Sequence, residues 1–481
     1  MSIGRKTKYL WMVLGGLAIP ANAMASGLDA PIVGSGQSGP VTVDAAAIHW
    51  NPGALGAIDS FEIFAGAGLV AGQVGVQRER RGTYASPDVL RLRTPLLPIE
   101  IDPSKSGWTS PVQAKPMAPI GDIFLATPLT KRIVVGLGAY VPYAASLDYP
   151  NDGPQRFRLQ QAFIVASNVA ASAAFRISDG LSIGGSLQWV TGYASMKKVQ
   201  DFAEIDEFRR AFANQPIGQS NDFGAHVPSQ LRELDVLARP IAIQDALSNG
   251  ISFNAGIFYR TRSNFRLGLS YQHGAQMNYH GRFSVDMNDP FFTQDLAAQG
   301  LKYPPLVKGT SNLQFRLPRR ITAGTGFQVL DRLSIDGYVS YVFYSDVDAF
   351  VVTTNSPQLA QPALGLGPSV RVVLPRAWRD TMIVEANVRW RLADFLLVSG
   401  TAGYQSPASP DKTIDASSLD GHRFVGGLGA VLRATRWLDV HADARVQGIL
   451  PRTVTASEND VANGRYSLLV GYVGGHLKAK F

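Results

Sequence analysis

The side chains with the clearest chemical potential in this 481-residue chain are few and scattered. Gly180-Leu181-Ser182-Ile183-Gly184 has the spacing of a nucleophile elbow, which holds a serine at a sharp strand-to-helix turn for attack on a carbonyl carbon. Here the residues after Ser182 continue as a strand, so its hydroxyl reads as one polar group on a strand face. The seven histidines show no metal-ligand spacing, and cysteine is absent. No catalytic residue, metal site or cofactor follows from these positions, and a hydrolase is the weakest of the competing classes. Arg389, Arg391 and Arg445 recur at alternate positions among apolar residues. Guanidiniums so placed either hold a carboxylate or solvate an interior. Phe202, Ile205, Phe208 and Phe212 recur at near-helical spacing. Asp289-Pro290 looks like a helix start that leads into Phe291, Phe292 and Leu296. Both stripes fit either loop packing or a greasy vestibule that gathers hydrophobic molecules.

The elements that must position these residues are strands. In Met382–Leu392 the even positions are Met382, Val384, Ala386, Val388, Trp390 and Leu392, while Glu385, Asn387, Arg389 and Arg391 fall on odd ones. A strand sends successive side chains to opposite faces, so one face is apolar and the other charged. Leu438, Val440, Ala442, Ala444 and Val446 alternate in the same way with Asp439, His441, Asp443 and Arg445. Such segments recur near 60–76, 118–127, 132–143, 161–176, 181–196, 251–262, 264–284, 313–328, 332–350, 381–392, 395–405, 422–433, 436–447 and 466–481. They make fourteen strands, an even number as in bacterial single-chain barrels. Short turns alternate along the chain with longer links, two of them with helical character near 197–250 and 285–312.

A soluble sandwich would alternate too. A transmembrane antiparallel β-barrel is favoured because several strands reach the roughly 9–11 residues that cross a bilayer, and because of the leader. Arg5, Lys6 and Lys8 precede the apolar run Tyr9–Ile19, and small residues follow at cleavage spacing, as in a secretory signal peptide over residues 1–25. A hydrophobic fraction of 46% with 17% charge is unusual for a soluble protein, where charge averages about 25%. The formal charge of +8 includes those three leader cations; the mild remaining excess suits anionic ligands or lipid head groups, and no basic block points to nucleic acid. Phe481, closing an alternating strand, fits the interfacial aromatic girdle and resembles the signal read by the outer-membrane barrel assembly machinery.

Residues 26–58 do not alternate, and a plug inside the lumen accommodates them, since irregular backbone at membrane depth needs protein or water around it. This segment contains Asp44-Ala45-Ala46 and Trp50-Asn51-Pro52-Gly53-Ala54-Leu55, which resemble the hatch motif of the FadL/TodX family of outer-membrane fatty-acid and hydrocarbon transporters. Gly138-Ala139-Tyr140-Val141-Pro142-Tyr143 is similar to that family's third strand, and Leu317-Pro318, Trp378-Arg379-Asp380-Thr381, Gly403-Tyr404 and His422-Arg423-Phe424 follow in the family's order. Gly53 stands where an alanine is usual. The resemblance implies a barrel of about fourteen strands over 59–481, in the outer membrane, with an N-terminal hatch that includes Asp44, Asn51, Pro52 and Gly53. It further implies a hydrophobic ligand entering among the outer loops and leaving through a gap at a kinked strand, for which Pro142 is the candidate. Long-chain fatty acids are the foremost cargo, aromatic hydrocarbons the alternative. A receptor or adhesin barrel would leave the same pattern.

Overall fold

The computed structural model describes residues 29–30, 32–79, 109–201, 238–298, 300–362, 367–457 and 460–481. The leader and the stripe from Phe202 to Phe212 lie outside them.

The alternation becomes strands whose burial is the reverse of a soluble protein's. Along Leu181–Asp201, Ile183, Leu187 and Trp189 are exposed while Ser182, Ser186 and Gln188 are buried. Along Thr381–Ala393, Met382, Val384, Val388 and Trp390 are exposed while Glu385 and Asn387 are buried. An apolar row turned outward and a polar row turned inward is the arrangement of a wall between lipid and a wet lumen.

Fourteen antiparallel strands make this wall. They are β1 Glu62–Arg78, β2 Met117–Pro128, β3 Ile133–Asp148, β4 Gln161–Arg176, β5 Leu181–Asp201 and β6 Ala238–Arg260. Four interrupted strands follow: β7 Arg266–Gln272 and Gln276–Asp286, β8 Leu306–Arg316 and Arg319–Leu330, β9 Leu333–Phe343 and Ala349–Asn355, β10 Ser369–Pro375 and Thr381–Ala393. The rest are β11 Leu396–Gln405, β12 Arg423–Arg433, β13 Leu438–Val454 and β14 Gly464–Lys480. Pairing of β1 with β14 in unbroken register, from Glu62↔Lys480 to Arg78↔Gly464, closes the barrel. Closure pairs the first strand with the last and so leaves neither as an open edge to lipid.

The breaks in β7 and β8 lie side by side for a reason. Pro318 has no amide to donate, and Leu317 instead donates to the Ala275 carbonyl at 2.9 Å. Gly274 packs so close to the Leu317 backbone that a Cβ would overlap it.

All fourteen expected strands are present, yet several reach further outward than alternation indicates. β6 begins at Ala238 rather than 251 and β8 at Leu306 rather than 313, so the outer links near 197–250 and 285–312 are partly strand. In these extensions the polar-in, apolar-out contrast fades: Arg239, Gln244 and Asp245 occupy that part of β6, with Asp245 in a bulge at φ 52°, while Ile243, Ala246 and Val307 are buried. Among the described residues of those two links, helix is confined to Phe291–Asp295 continued by Leu296–Ala298.

Among the described residues the interior is filled by three large apolar clusters and one small one, around Phe157 and Val199. Two apolar clusters occupy the outer half, one around Val141, Leu147, Tyr344, Trp378 and Ile414, the other around Tyr279, Phe283, Phe291, Phe292 and Phe315. A third, at the short-turn end, packs Ala45, Ala46, Ile48, Leu55 and Ile58 against Phe64, Phe124 and Phe258 of the wall. Residues 32–58 therefore lie inside the barrel.

Candidate functional site

The plug is held by its own polar backbone. Asp44 accepts the Ala46 amide at 3.0 Å just ahead of the short helix Ala47–Trp50, whose N-cap is Ala46. Asn51 caps the 3-10 turn Pro52–Ala57: its oxygen accepts the Gly53 amide at 3.0 Å, and its nitrogen donates to the Pro40 and Ile257 carbonyls at 2.9 and 3.1 Å. Pro52 fits the first turn because its missing amide would have no partner there. Gly53 stands against β6, where a Cβ would lie 2.8 Å from the Gly256 carbonyl oxygen. That contact explains the departure from alanine at this position. Ser182 donates its hydroxyl to the Gly53 carbonyl at 2.7 Å and stands at the start of β5, which runs on as strand to Asp201, so the strand-to-helix turn that a nucleophile elbow needs does not form.

Above the plug lies a cavity of about 80 Å³ between hatch and wall. Arg320, Arg423 and Arg445 line it together with Asp29, Glu385, His49 and Tyr338. Arg320 pairs with Asp29 at 2.6 Å and Arg445 with Glu385 at 2.5 Å. Among the described residues three guanidiniums and two carboxylates line the cavity. Burial first, and then the charge of Arg320, push the His49 imidazole down to about 3, so this hatch residue is neutral at physiological pH. Arg389 lies lower in the lumen and pairs with Asp336, which Arg266 also reaches at 2.5 Å.

Arg391 does not join Arg389 and Arg445 inside. The register of β10 shifts between Arg391 and Ala393, and the Arg391 side chain is exposed at the short-turn end. Phe291, Phe292 and Leu296 are buried in the second outer cluster instead of lining an open surface. Sequence reasoning missed Arg320, Asp29, Glu385 and Arg423 as one site. The signal for Arg320 was available: Ile321 is lipid-facing, so its neighbour points inward.

The wall is unpaired at one place. β2 pairs with β3 only from Pro128↔Val134 to Ile123↔Ala139. Outward of this, β2 stays with β1 as far as Ala71↔Met117, and β3 stays with β4 past a bulge between Tyr140 and Tyr143. Val141 and Pro142 sit in that bulge. Ile120, Gly121, Asp122 and Val141 border the gap, with Ile32 and Val33 of the hatch behind it. From inside, Asp29 bridges Tyr143, and the Ala30 amide donates to the Pro142 carbonyl at 2.8 Å.

Residues 17–478 match the family model described as outer membrane protein transport protein (OMPP1/FadL/TodX). Outer membrane protein P1 of Haemophilus influenzae is 23% identical over 245 residues, 50% of this chain and 49% of that protein, so the chain spans about half the length of the curated relatives it matches. Among solved structures, a Pseudomonas aeruginosa FadL homologue superposes with a TM-score of 0.70 at 16% identity, covering 97% of this chain and 99% of the other. The Pseudomonas putida toluene transporter TodX gives 0.64 at 13% identity over 96% and 100% of the two chains. The Ralstonia pickettii toluene transporter TbuX gives 0.61 at 15% identity over 93% and 96%. At these identities the likeness speaks for the fold.

Proposed function

The chain belongs to the outer membrane protein transport protein family (OMPP1/FadL/TodX), and from that premise we propose that it admits hydrophobic small molecules passively, long-chain fatty acids foremost. The observation that carries this reading is the cavity that gathers the guanidiniums of Arg320, Arg423 and Arg445 beneath apolar clusters. A long acyl chain needs the apolar layers, and its head group needs a fixed cation. Each step exchanges apolar contacts worth about 25 cal/mol per Å² buried, so no energy source is required.

Asp29 now occupies Arg320 as a ligand carboxylate would. An arriving carboxylate takes its place, and residues 29–30 then release Pro142 and Tyr143. The gap between β2 and β3 opens as the exit into the bilayer. Pro142 contributes by lacking the amide that would extend the ladder across it.

A second reading, uptake of small aromatic hydrocarbons, draws on the modest size of the cavity, about 80 Å³. Uptake of labelled oleate and of toluene, compared between cells with and without the protein, separates the two. Oleate entry that depends on the protein supports the first reading; toluene entry alone supports the second. Equal uptake of both in either strain overturns transport.

A further inference from the structure

The charge of the barrel is unevenly placed. Lys131 and Arg132 follow β2, Arg260 and Arg262 lie between β6 and β7, and Arg433 and Arg436 lie between β12 and β13. Arg176, Arg332, Arg391 and Lys480 add one cation each at other strand ends of the same side. Ten cations at the short-turn rim face six carboxylates, Asp59, Glu62, Asp179, Asp331, Asp394 and Asp439, an excess of four. Every short turn has a Lys or Arg within it or within three residues of it.

Most of these cations are available. Lys131, Arg132, Arg262, Arg332, Arg391 and Arg436 are exposed and form no ion pair among the described residues. The Arg433 contact with Asp439 is loose, at 3.7 Å with the guanidinium 60% exposed. Arg176 is engaged inward, donating to the hatch carbonyls of Gly56 and Ile58, and Lys480 reaches the buried Glu62 at 4.0 Å. At the long-loop end several cations are instead paired with carboxylates: Arg376 with Asp415, Arg319 with Asp346, Arg452 with Asp411.

Aromatic rings fix the depth of this rim. Trp437, Phe481 and Phe61 stack in a row with centroids 5.9 and 6.0 Å apart, and all three are exposed. Phe265 and Phe395 mark the same level beside other turns. Such rings settle at the boundary between acyl chains and head groups. The cations beside them therefore stand at head-group depth in the periplasmic leaflet, where short turns lie.

We propose that this rim binds anionic phospholipid head groups of the periplasmic leaflet, phosphatidylglycerol being the simplest. The guanidinium fork fits a phosphate, and the neighbouring ring supports the glycerol and the first methylenes.

The test uses the full protein in bilayers containing phosphatidylcholine and a minority of phosphatidylglycerol, with the lipids retained after detergent extraction identified by mass. The native protein is expected to enrich phosphatidylglycerol about five-fold, the factor that one well-placed cation supplies. A fourfold variant, R132Q/R262Q/R433Q/R436Q, is expected to lose that enrichment, and the matching fourfold lysine variant to keep most of it. High salt should abolish enrichment by the native protein, a readout that needs no variant to fold. Enrichment that survives both high salt and the glutamine variant overturns the proposal. So does displacement by inorganic phosphate at equal concentration, which would mark a free-anion site. Binding of an acidic peptide without any lipid enrichment would instead assign the rim to a protein partner.

Discussion

The plug meets the barrel wall in two different ways on its two sides. Against β5 to β8 it is seated on glycines. Gly184 and Gly256 are cross-strand partners, Gly268 pairs with Gly324, and a Cβ at any of the first three would overlap Pro52, Asn51 or Pro40. Side chains of the wall then tie this edge down: Asn254 and Gln272 donate to the His49 carbonyl at 3.0 and 2.5 Å, and Arg266 to that of Val41 at 3.2 Å. Near the gap the plug's N-terminal end is held by fewer ties: a short bridge at Tyr143, one amide on Pro142, the Gly34 amide on Asp122 of β2 at 2.8 Å, and the ion pair of Asp29 with Arg320 of β8. One end is a fixed seat and the other a latch.

The largest effect should come from breaking the seat. Gly256→Val puts a branched side chain where the Asn51 oxygen now lies, and overpacking of this kind costs about 1–3 kcal/mol. Limited proteolysis of the folded protein should then cut within residues 32–58, which the native protein protects. An uncut plug would mean that the glycine contacts do not hold it.

Loosening the latch should do less. Asp29→Asn removes the charge from a mostly buried pair and weakens the contact that Tyr344 makes with Asp29 at 3.3 Å. A loss of about 1.4 kcal/mol corresponds to tenfold faster hydrogen exchange at the Ala30 amide. The His49 region should exchange as before, because its seat is untouched. Equal acceleration at both sites would erase the distinction between the two edges.

The smallest effect concerns the outer cover above the latch, where Tyr149 donates to the Ala416 carbonyl at 3.3 Å. Burial alone would raise the Asp415 carboxyl; the Arg376 guanidinium at 3.2 Å and the Ser417 and Ser418 hydroxyls outweigh it and hold the group below its ordinary range. The native state thus sheds this proton more readily than the unfolded chain. The stabilisation is complete above the unfolded value near ~4 and is lost as pH falls through the lower folded value. Protection of loop 406–422 against exchange should therefore drop below about pH 4 in the native protein and change less with pH in Asp415→Asn.

The wall was largely legible in the sequence because lipid on one side and water on the other impose a strict period of two. Leu187 and Ser186 declare their faces without any knowledge of neighbours. The site was less legible because it is assembled across the lumen. Asp29 and Arg320 are far apart in the chain, and nothing local to either announces the pair. Arg391 misled for a physical reason: it keeps its register but stands at the open short-turn rim, where alternation no longer separates lumen from solvent. The hatch motif was visible as residue types, but the reason for Gly53 lies in β6, where Gly256 leaves no room for a methyl group.

The central claim is that the cavity between latch and wall selects an apolar chain carrying a negative head. Binding of oleate and of oleyl alcohol to the purified barrel, native and Arg320→Gln, tests it most directly. Hydrogen bonds to a charged group contribute about 1.5–3 kcal/mol, so oleate should bind native protein at least tenfold more tightly than the alcohol, and the two should approach parity in the variant. Equal affinity of the native barrel for both would contradict the account.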